Sequence, residues 1–417
     1  MLRIAAAATA APLAACGRAS GRTTLRFWAM GREGEVAHEL LAGFRAEHPQ
    51  VELRIEQLPW TAAHEKLLTA FAGDATPDVA QIGNTWLPEM VALGAVEPLD
   101  EQLRTTPAID RADYFDGIWR TNVIGGQLQG LPWYVDTRLL YVRRDLLARA
   151  GFNRMPDTWA GWVQAMQALQ GIGVKHPQLL PLNEYEPLLA LALQQEGELL
   201  REGGRHGGFS SPGFERALGF YLDTFARGFA PAVNNNQVAN LWQEFGRGSI
   251  ALYISGPWNL GEFRRRLPAE LQGAWATAPL PGPNGPGASI AGGSSLVLFK
   301  RSKAKREAWA LIEYLSRPEV QQHFYRLTGN LPPRRAAWSP DTLGRDPQAR
   351  AFAEQLERVK PTPAVPEWER IAQEMQLFAA RAVHERSAPA VVARALDARV
   401  DGFLAKRRWM LDRGALA

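Results

Sequence analysis

Hydrophobic and polar positions change period repeatedly along the N-terminal part of the chain. Residues 25–29 form a short apolar run of strand type, and Val36, Leu40 and Phe44 then recur at four-residue spacing, which predicts an amphipathic helix ending before Pro49. Val51, Leu53 and Ile55 alternate with charged residues, as in a half-buried strand. A second helical stretch carries Leu67, Leu68 and Phe71, and leads through Gly73-Asp74-Ala75-Thr76-Pro77 into the strand-like run 78–82. Strand, helix, strand, helix, strand predicts a parallel α/β sheet. Ligands of such sheets bind beyond the carboxyl ends of the strands, here the segments 31–35 and 83–86.

Between residues 125 and 145 the pattern turns irregular, with Gly125-Gly126 and Gly130-Leu131-Pro132-Trp133 followed by the apolar run Leu139-Leu140-Tyr141-Val142. This is a candidate crossing between two bodies. Asp157 or Thr158 then caps a helix that carries Trp159, Trp162, Val163, Met166 and Leu169 on one face, a spacing that predicts core packing for those tryptophans. The proline- and glycine-rich segment 279–287 continues neither helix nor strand and reads as a second crossing or an exposed loop. A strand over 296–299 follows it, and Ser316-Arg317-Pro318-Glu319 reads as a capping box ahead of Val320, Phe324 and Leu327. A chain of 417 residues exceeds one ordinary core, which argues for two lobes.

The N-terminus has its own logic. One positive charge, Arg3, precedes a run over 4–15 that is apolar but too short to span hydrocarbon, and small residues lead into Leu13-Ala14-Ala15-Cys16. Cys16 is the single cysteine, so it has no internal disulfide partner. Residues 1–15 read as a secretory signal. Its removal lowers the formal charge only from +4 to +3, and the basic residues are dispersed, the run 300–306 reading as a solvated helix face. An electrostatic footprint for nucleic acid is therefore not expected. No later stretch has the length of apolar sequence that a membrane-spanning helix requires.

The seven histidines are scattered singly, with no pair at metal-ligand spacing, so neither a metal nor another cofactor is expected. Neither a Gly-x-Ser-x-Gly elbow nor a phosphate loop is present. Tryptophan is in excess instead, with fourteen residues. Trp86, Trp133 and Trp258 adjoin turn residues in Gly83-Asn84-Thr85-Trp86, Leu131-Pro132-Trp133-Tyr134 and Ser255-Gly256-Pro257-Trp258. Each either covers a loop from below or offers a rigid aromatic face to a sugar, whose C–H face stacks while its hydroxyl rim takes hydrogen bonds.

The stretches Gly73-Asp74-x-x-Pro77-Asp78-Val79, Gly130-Leu131-Pro132-Trp133-x-x-Asp136-Thr137, Leu140-Tyr141-x-x-Arg144-Asp145-Leu146, Pro156-x-Thr158-Trp159, Phe245-x-x-Gly248, Gly256-Pro257-Trp258, Pro279-Leu280-Pro281-Gly282, Gly292-Gly293 and Gly329-Asn330-Leu331-Pro332 occur in an order and spacing that carry a resemblance over essentially the whole mature chain. The sequence resembles the extracellular solute-binding proteins of carbohydrate-importing ATP-binding-cassette transporters, the family that includes maltose- and trehalose/maltose-binding proteins. Its four residues ending in Cys16 resemble the bacterial lipoprotein signal, in which the cysteine becomes the lipidated first residue.

This resemblance implies a two-lobed α/β fold of the type II periplasmic-binding-protein class, with a hinge and a cleft that closes around ligand without covalent change. Lobe one would comprise residues 23–136 and 282–335, and lobe two residues 137–281 and 336–417. The implied ligand contacts are Glu33, Asn84, Trp86, Tyr134, Asp136, Glu184, Trp258, Gly293 and Trp368, with Trp258 as the stacking ring and Gly293 offering backbone. Ser294 stands after the two glycines where some relatives carry an aromatic, so maltose or trehalose is not thereby specified. The expected protein is a non-enzymatic, monomeric receptor, exported, lipid-anchored to a bacterial membrane through Cys16, and passing a saccharide to membrane permease subunits. A binding protein for another polar solute, such as a glycerophosphodiester or polyol, and a secreted glycoside hydrolase are the alternative readings.

Overall fold

The alternating N-terminal segments pair side by side: β1 (Thr23–Met30) lies between β2 (Val51–Leu58) and β3 (Val79–Gly83) and runs parallel to both. The connections between them are helical, α1 (Gly31–Leu40) after β1 and α2 (Trp60–Ala72) after β2, as parallel pairing demands. The computed structural model describes residues 21–238, 240–339 and 343–414, so the signal segment 1–15 and Cys16 lie outside the described residues.

Further along come β4 (Leu131–Asp136), β5 (Leu139–Arg143), α3 (Trp159–Gly171), β6 (His176–Leu179), α4 (Glu186–Leu193), β7 (Ile250–Ser255), α5 (Trp258–Arg266) and β8 (Trp275–Ala278). The short β9 (Ser289–Ile290), the long β10 (Gly292–Leu298), α6 (Pro318–Thr328), α7 (Pro347–Leu356), β11 (Val359–Lys360) and α8 (Trp368–Glu385) follow. One sheet has the order β2-β1-β3-β10-β4 and the other β8-β5-β7-β6. The fold is thus mixed α/β with two main sheets. The first is not purely parallel, because β10 enters antiparallel to both β3 and β4. Periodicity in neighbouring residues carries no trace of that pairing, which joins segments far apart in sequence.

Both sheets are covered on both faces. Phe27, Leu131 and Leu296 pack on one side of the first sheet, and Trp28, Ile82 and Val297 on the other. In the second, Leu140 and Val142 point into one cluster while Leu139 and Tyr141 point into another, the two-residue alternation of a strand. The helical face of α3 behaves as its spacing predicts. Trp162, Met166 and Leu169 are buried, and Thr158 caps the helix by accepting from the Gly161 amide at 3.1 Å. The capping box at Ser316 does not form, because Ser316 terminates the preceding helix and donates its hydroxyl to the Ile312 carbonyl at 2.7 Å.

Two residues, Thr137 and Arg138, carry the chain from β4 in the first sheet to β5 in the second. The chain re-enters the first sheet at β10, beginning at Gly292, well beyond Gly282. Gly282 is instead tied to the second body, donating to the Asp157 carbonyl at 3.0 Å and pairing with Thr158, while β9 pairs with β11. The proline-rich segment closes on itself through a Gly282 to Gly285 hydrogen bond of 2.7 Å, a turn whose composition is indistinguishable from that of a linker.

Candidate functional site

The carboxyl ends of the first sheet's strands deliver polar groups to one place. β1 runs into α1, whose first turn carries Glu33, and β3 runs into the turn Asn84-Thr85-Trp86. β4 ends on Asp136, and β10 opposite it begins with Gly292, Gly293 and Ser294. The second body contributes Tyr185 and Glu186 from the start of α4, Trp258 from the start of α5 and Glu369 from the start of α8. Together they line a cavity of about 560 Å³.

Arg138, at the first crossing, organises one wall. It donates to Asp136 and to Glu186, each at 2.6 Å, and its guanidinium lies 4.5 Å from the Trp258 ring centroid. Burial works against its charge, but Asp136 and Glu186 outweigh that and hold it firmly protonated. Trp258 keeps 36% of its surface exposed and lines the cavity. Gly256 makes that position available, since a Cβ there would fall 1.8 Å from the Trp258 ring. Gly293 likewise has φ +148° and lies so close to β4 that a Cβ would meet the Tyr134 carbonyl at 2.2 Å.

The opposite wall is aromatic and acidic. Trp60 meets Trp86 edge-on at 5.5 Å, and His64, paired with Glu89 at 2.7 Å, stacks behind Trp86 at 4.8 Å. Glu33 accepts from Asn330 at 2.6 Å. The Tyr134 hydroxyl accepts from Gln81 at 3.1 Å and Ser294 at 3.0 Å, which leaves its own proton for Glu33. Glu369 accepts from the Thr85 hydroxyl. Burial raises the carboxyl groups of Glu33, Asp136 and Glu369 above their ordinary values, opposed by hydrogen bonds at Glu33 and Glu369 and by Arg138 at Asp136. Such groups are poised to accept hydrogen bonds from a hydroxyl-rich solute.

Of the sequence-predicted contacts, Glu33, Asn84, Trp86, Tyr134, Asp136, Trp258 and Gly293 line the cavity. The Asn84 amide is already committed, donating to the Ala291 carbonyl at 2.7 Å. Glu184 and Trp368 are corrections. Glu184 stands off the lining and accepts from Asn235 at 2.6 Å, whereas Glu186, one alternation further on, reaches the cavity. Trp368 is fully buried in the second body's core, and its neighbour Glu369 is the lining group. Trp133 is core as well, 1% exposed and stacked on Phe324 at 4.6 Å. Trp60, Arg138, Tyr185, Asn330 and the two glutamates were not anticipated; Pro59-Trp60 carried the same turn-adjacent signal as Trp258.

Glu33 gives a pH signature. Its raised carboxyl means that, above the ordinary glutamate range, the folded protein binds more protons than the unfolded chain, so its contribution to stability falls as pH rises towards the raised value. In urea denaturation without ligand, Glu33→Gln should therefore gain stability relative to the parent as pH rises above the ordinary glutamate range of about 4, and the gain should level off once the raised carboxyl is ionised. A difference independent of pH would contradict the assignment.

The chain matches the model of the bacterial extracellular solute-binding protein family over residues 30–322. It is 52% identical to the sugar-binding protein MalE from Xanthomonas citri, with TM-score 0.91 and coverage of 94% of this chain and 99% of that one. It is also 23% identical to the diacetylchitobiose-binding protein DasA of Streptomyces coelicolor, over 83% of this chain and 81% of that protein. The arabinooligosaccharide-binding protein of Bacillus subtilis is 23% identical over 78% of this chain and 76% of its own. Together with a cavity built at the strand ends of two sheets, the family match over most of the chain shows that this protein belongs to the bacterial extracellular solute-binding proteins.

Proposed function

We propose that this protein is the sugar-capturing component of an ATP-binding-cassette importer, taking a mono- or oligosaccharide into the cavity and handing it, chemically unchanged, to membrane permease subunits. The observation that carries this reading is the pairing of an exposed ring, Trp258, with carboxylates bound to neutral partners, the buried Glu33 and the half-buried Glu369. A sugar presents both complements at once, an apolar ring face and a rim of hydroxyl donors. The relatives named above support it, since their names specify a sugar, diacetylchitobiose and arabinooligosaccharide.

In this reading the groups around each sheet act as lobes, the short link at Thr137 and Arg138 and the return into β10 at Gly292 serve as hinge, and ligand draws the lobes together. Among the described residues no helix is long and apolar enough to cross a membrane. Cys16 would supply the attachment. In the native host the wild-type chain should incorporate labelled fatty acid and partition with membranes, and Cys16→Ser should do neither; a wild-type chain free of lipid would overturn the anchor.

A thermal-shift screen of saccharides identifies the ligand, because a ligand present at a hundredfold its dissociation constant adds about 2.7 kcal/mol to folding. With that ligand, Trp258→Ala should lose about 2 kcal/mol of binding, roughly thirtyfold, with little change in folding stability. Trp368→Ala should do the reverse, costing about 3–5 kcal/mol of stability as a core cavity. Calorimetry and denaturant unfolding on both variants check the pair, and retained affinity in Trp258→Ala would remove the stacking ring from the site.

A further inference from the structure

The charges of the cavity are unbalanced in a way that restricts what can enter. Among the described residues four carboxylates line it, Glu33, Asp136, Glu186 and Glu369, against one guanidinium, that of Arg138. That cation is not open to a ligand. Its terminal nitrogens are given to Asp136 and Glu186, one flat side is against Trp258, and its side chain is 8% exposed. The hydrogen-bond partners of Glu33, among them Asn330 and Tyr134, and that of Glu369, Thr85, are neutral. His64, which sits behind Trp86, is taken by Glu89.

We propose that the cleft is a charge filter: it admits uncharged saccharides and refuses those carrying a carboxylate or phosphate, such as uronic acids, sugar phosphates and glycerophosphodiesters. The inference rests on the sugar-binding reading and deepens it. An incoming anion would meet like charges at close range in a partly desolvated cavity and, among the described lining residues, find no cation free of a carboxylate to offset them. A basic cavity does lie beyond Trp258, lined by Arg32, Arg264, Arg265 and Arg326. It does not relieve the deficit in the cleft, because none of these arginines lines the cleft itself; Arg32, Arg264 and Arg265 are moreover bound to Glu35, Asp346 and Glu262, and Arg326 stands exposed in that separate cavity. Specificity here comes from a repulsive element as much as from an attractive one.

The test uses isosteres on the mature wild-type protein. Maltose and trehalose are titrated by calorimetry at low salt beside derivatives in which one hydroxymethyl is replaced by carboxylate or by the neutral carboxamide, with glycerophosphocholine as an unrelated anion-bearing probe. The uronamide controls for the lost hydroxyl, so the ratio of uronate to uronamide reports charge alone. The expected result is a uronate at least about 100-fold weaker than its uronamide, a gap that narrows with added salt and in Glu369→Gln. A uronate within about threefold of its uronamide, with the neutral sugar bound, overturns the charge filter and leaves the sugar reading standing. Binding of glycerophosphocholine without any neutral sugar overturns both. No binding by any saccharide in a wider neutral panel overturns the sugar reading, and the filter with it.

Discussion

Arg138 is the one charge on which the arrangement of the site depends. It stands in the two-residue step between sheets, and its fork joins Asp136, at the end of a first-sheet strand, to Glu186, at the start of a second-body helix. A buried cation is costly to desolvate, by several kcal/mol even after relaxation, and is tolerated only when its partners are in place. The partners here come from both bodies. The same guanidinium backs Trp258, so the aromatic platform and two of the four lining carboxylates share one reference point.

The rest of the site follows from strand ends. Parallel strands joined by helical crossovers leave their carboxyl termini on one side, and the turns there are free of packing duties. Glu33, Asn84 and Asp136 all arise in this way, while β10, threaded antiparallel between β3 and β4, adds Gly293 and Ser294 from the opposite direction. Ser294 is small and buried, and its hydroxyl turns the Tyr134 proton towards Glu33. An aromatic in its place would have no room against Gln81 and Tyr134. The pocket of this family member is thus shaped by a polar network where a ring could have stood.

Much of this was legible before any coordinates. The period switches give β1, α1, β2, α2 and β3, because those elements are held by local connections and bury one face each. Spacing marked the helical Trp162 as core, whereas for the turn-adjacent Trp258 it left both burial and ligand contact open. The failures share a cause. Glu184 against Glu186, and Trp368 against Glu369, are errors of one or two residues, in segments where a turn or a helix start decides which side chain faces the cavity. Trp133 sits beside a proline like a loop residue, yet it lies within β4 and packs on Phe324, a contact between segments nearly two hundred residues apart that no local pattern encodes. Arg138 was invisible for a related reason. Its importance comes from Glu186 and Trp258, both brought to it by the fold.

The central claim, that a buried fork at the crossing couples the two bodies, is tested most directly by a double-mutant cycle in denaturant unfolding with Arg138→Met and Glu186→Gln. Arg138→Met alone should cost about 2–3 kcal/mol, because it removes the shared cation from two half-buried carboxylates, and Glu186→Gln should reduce this cost by about 1 kcal/mol or more. Additivity of the two substitutions within about 0.5 kcal/mol would contradict it and reduce the contact to one of proximity.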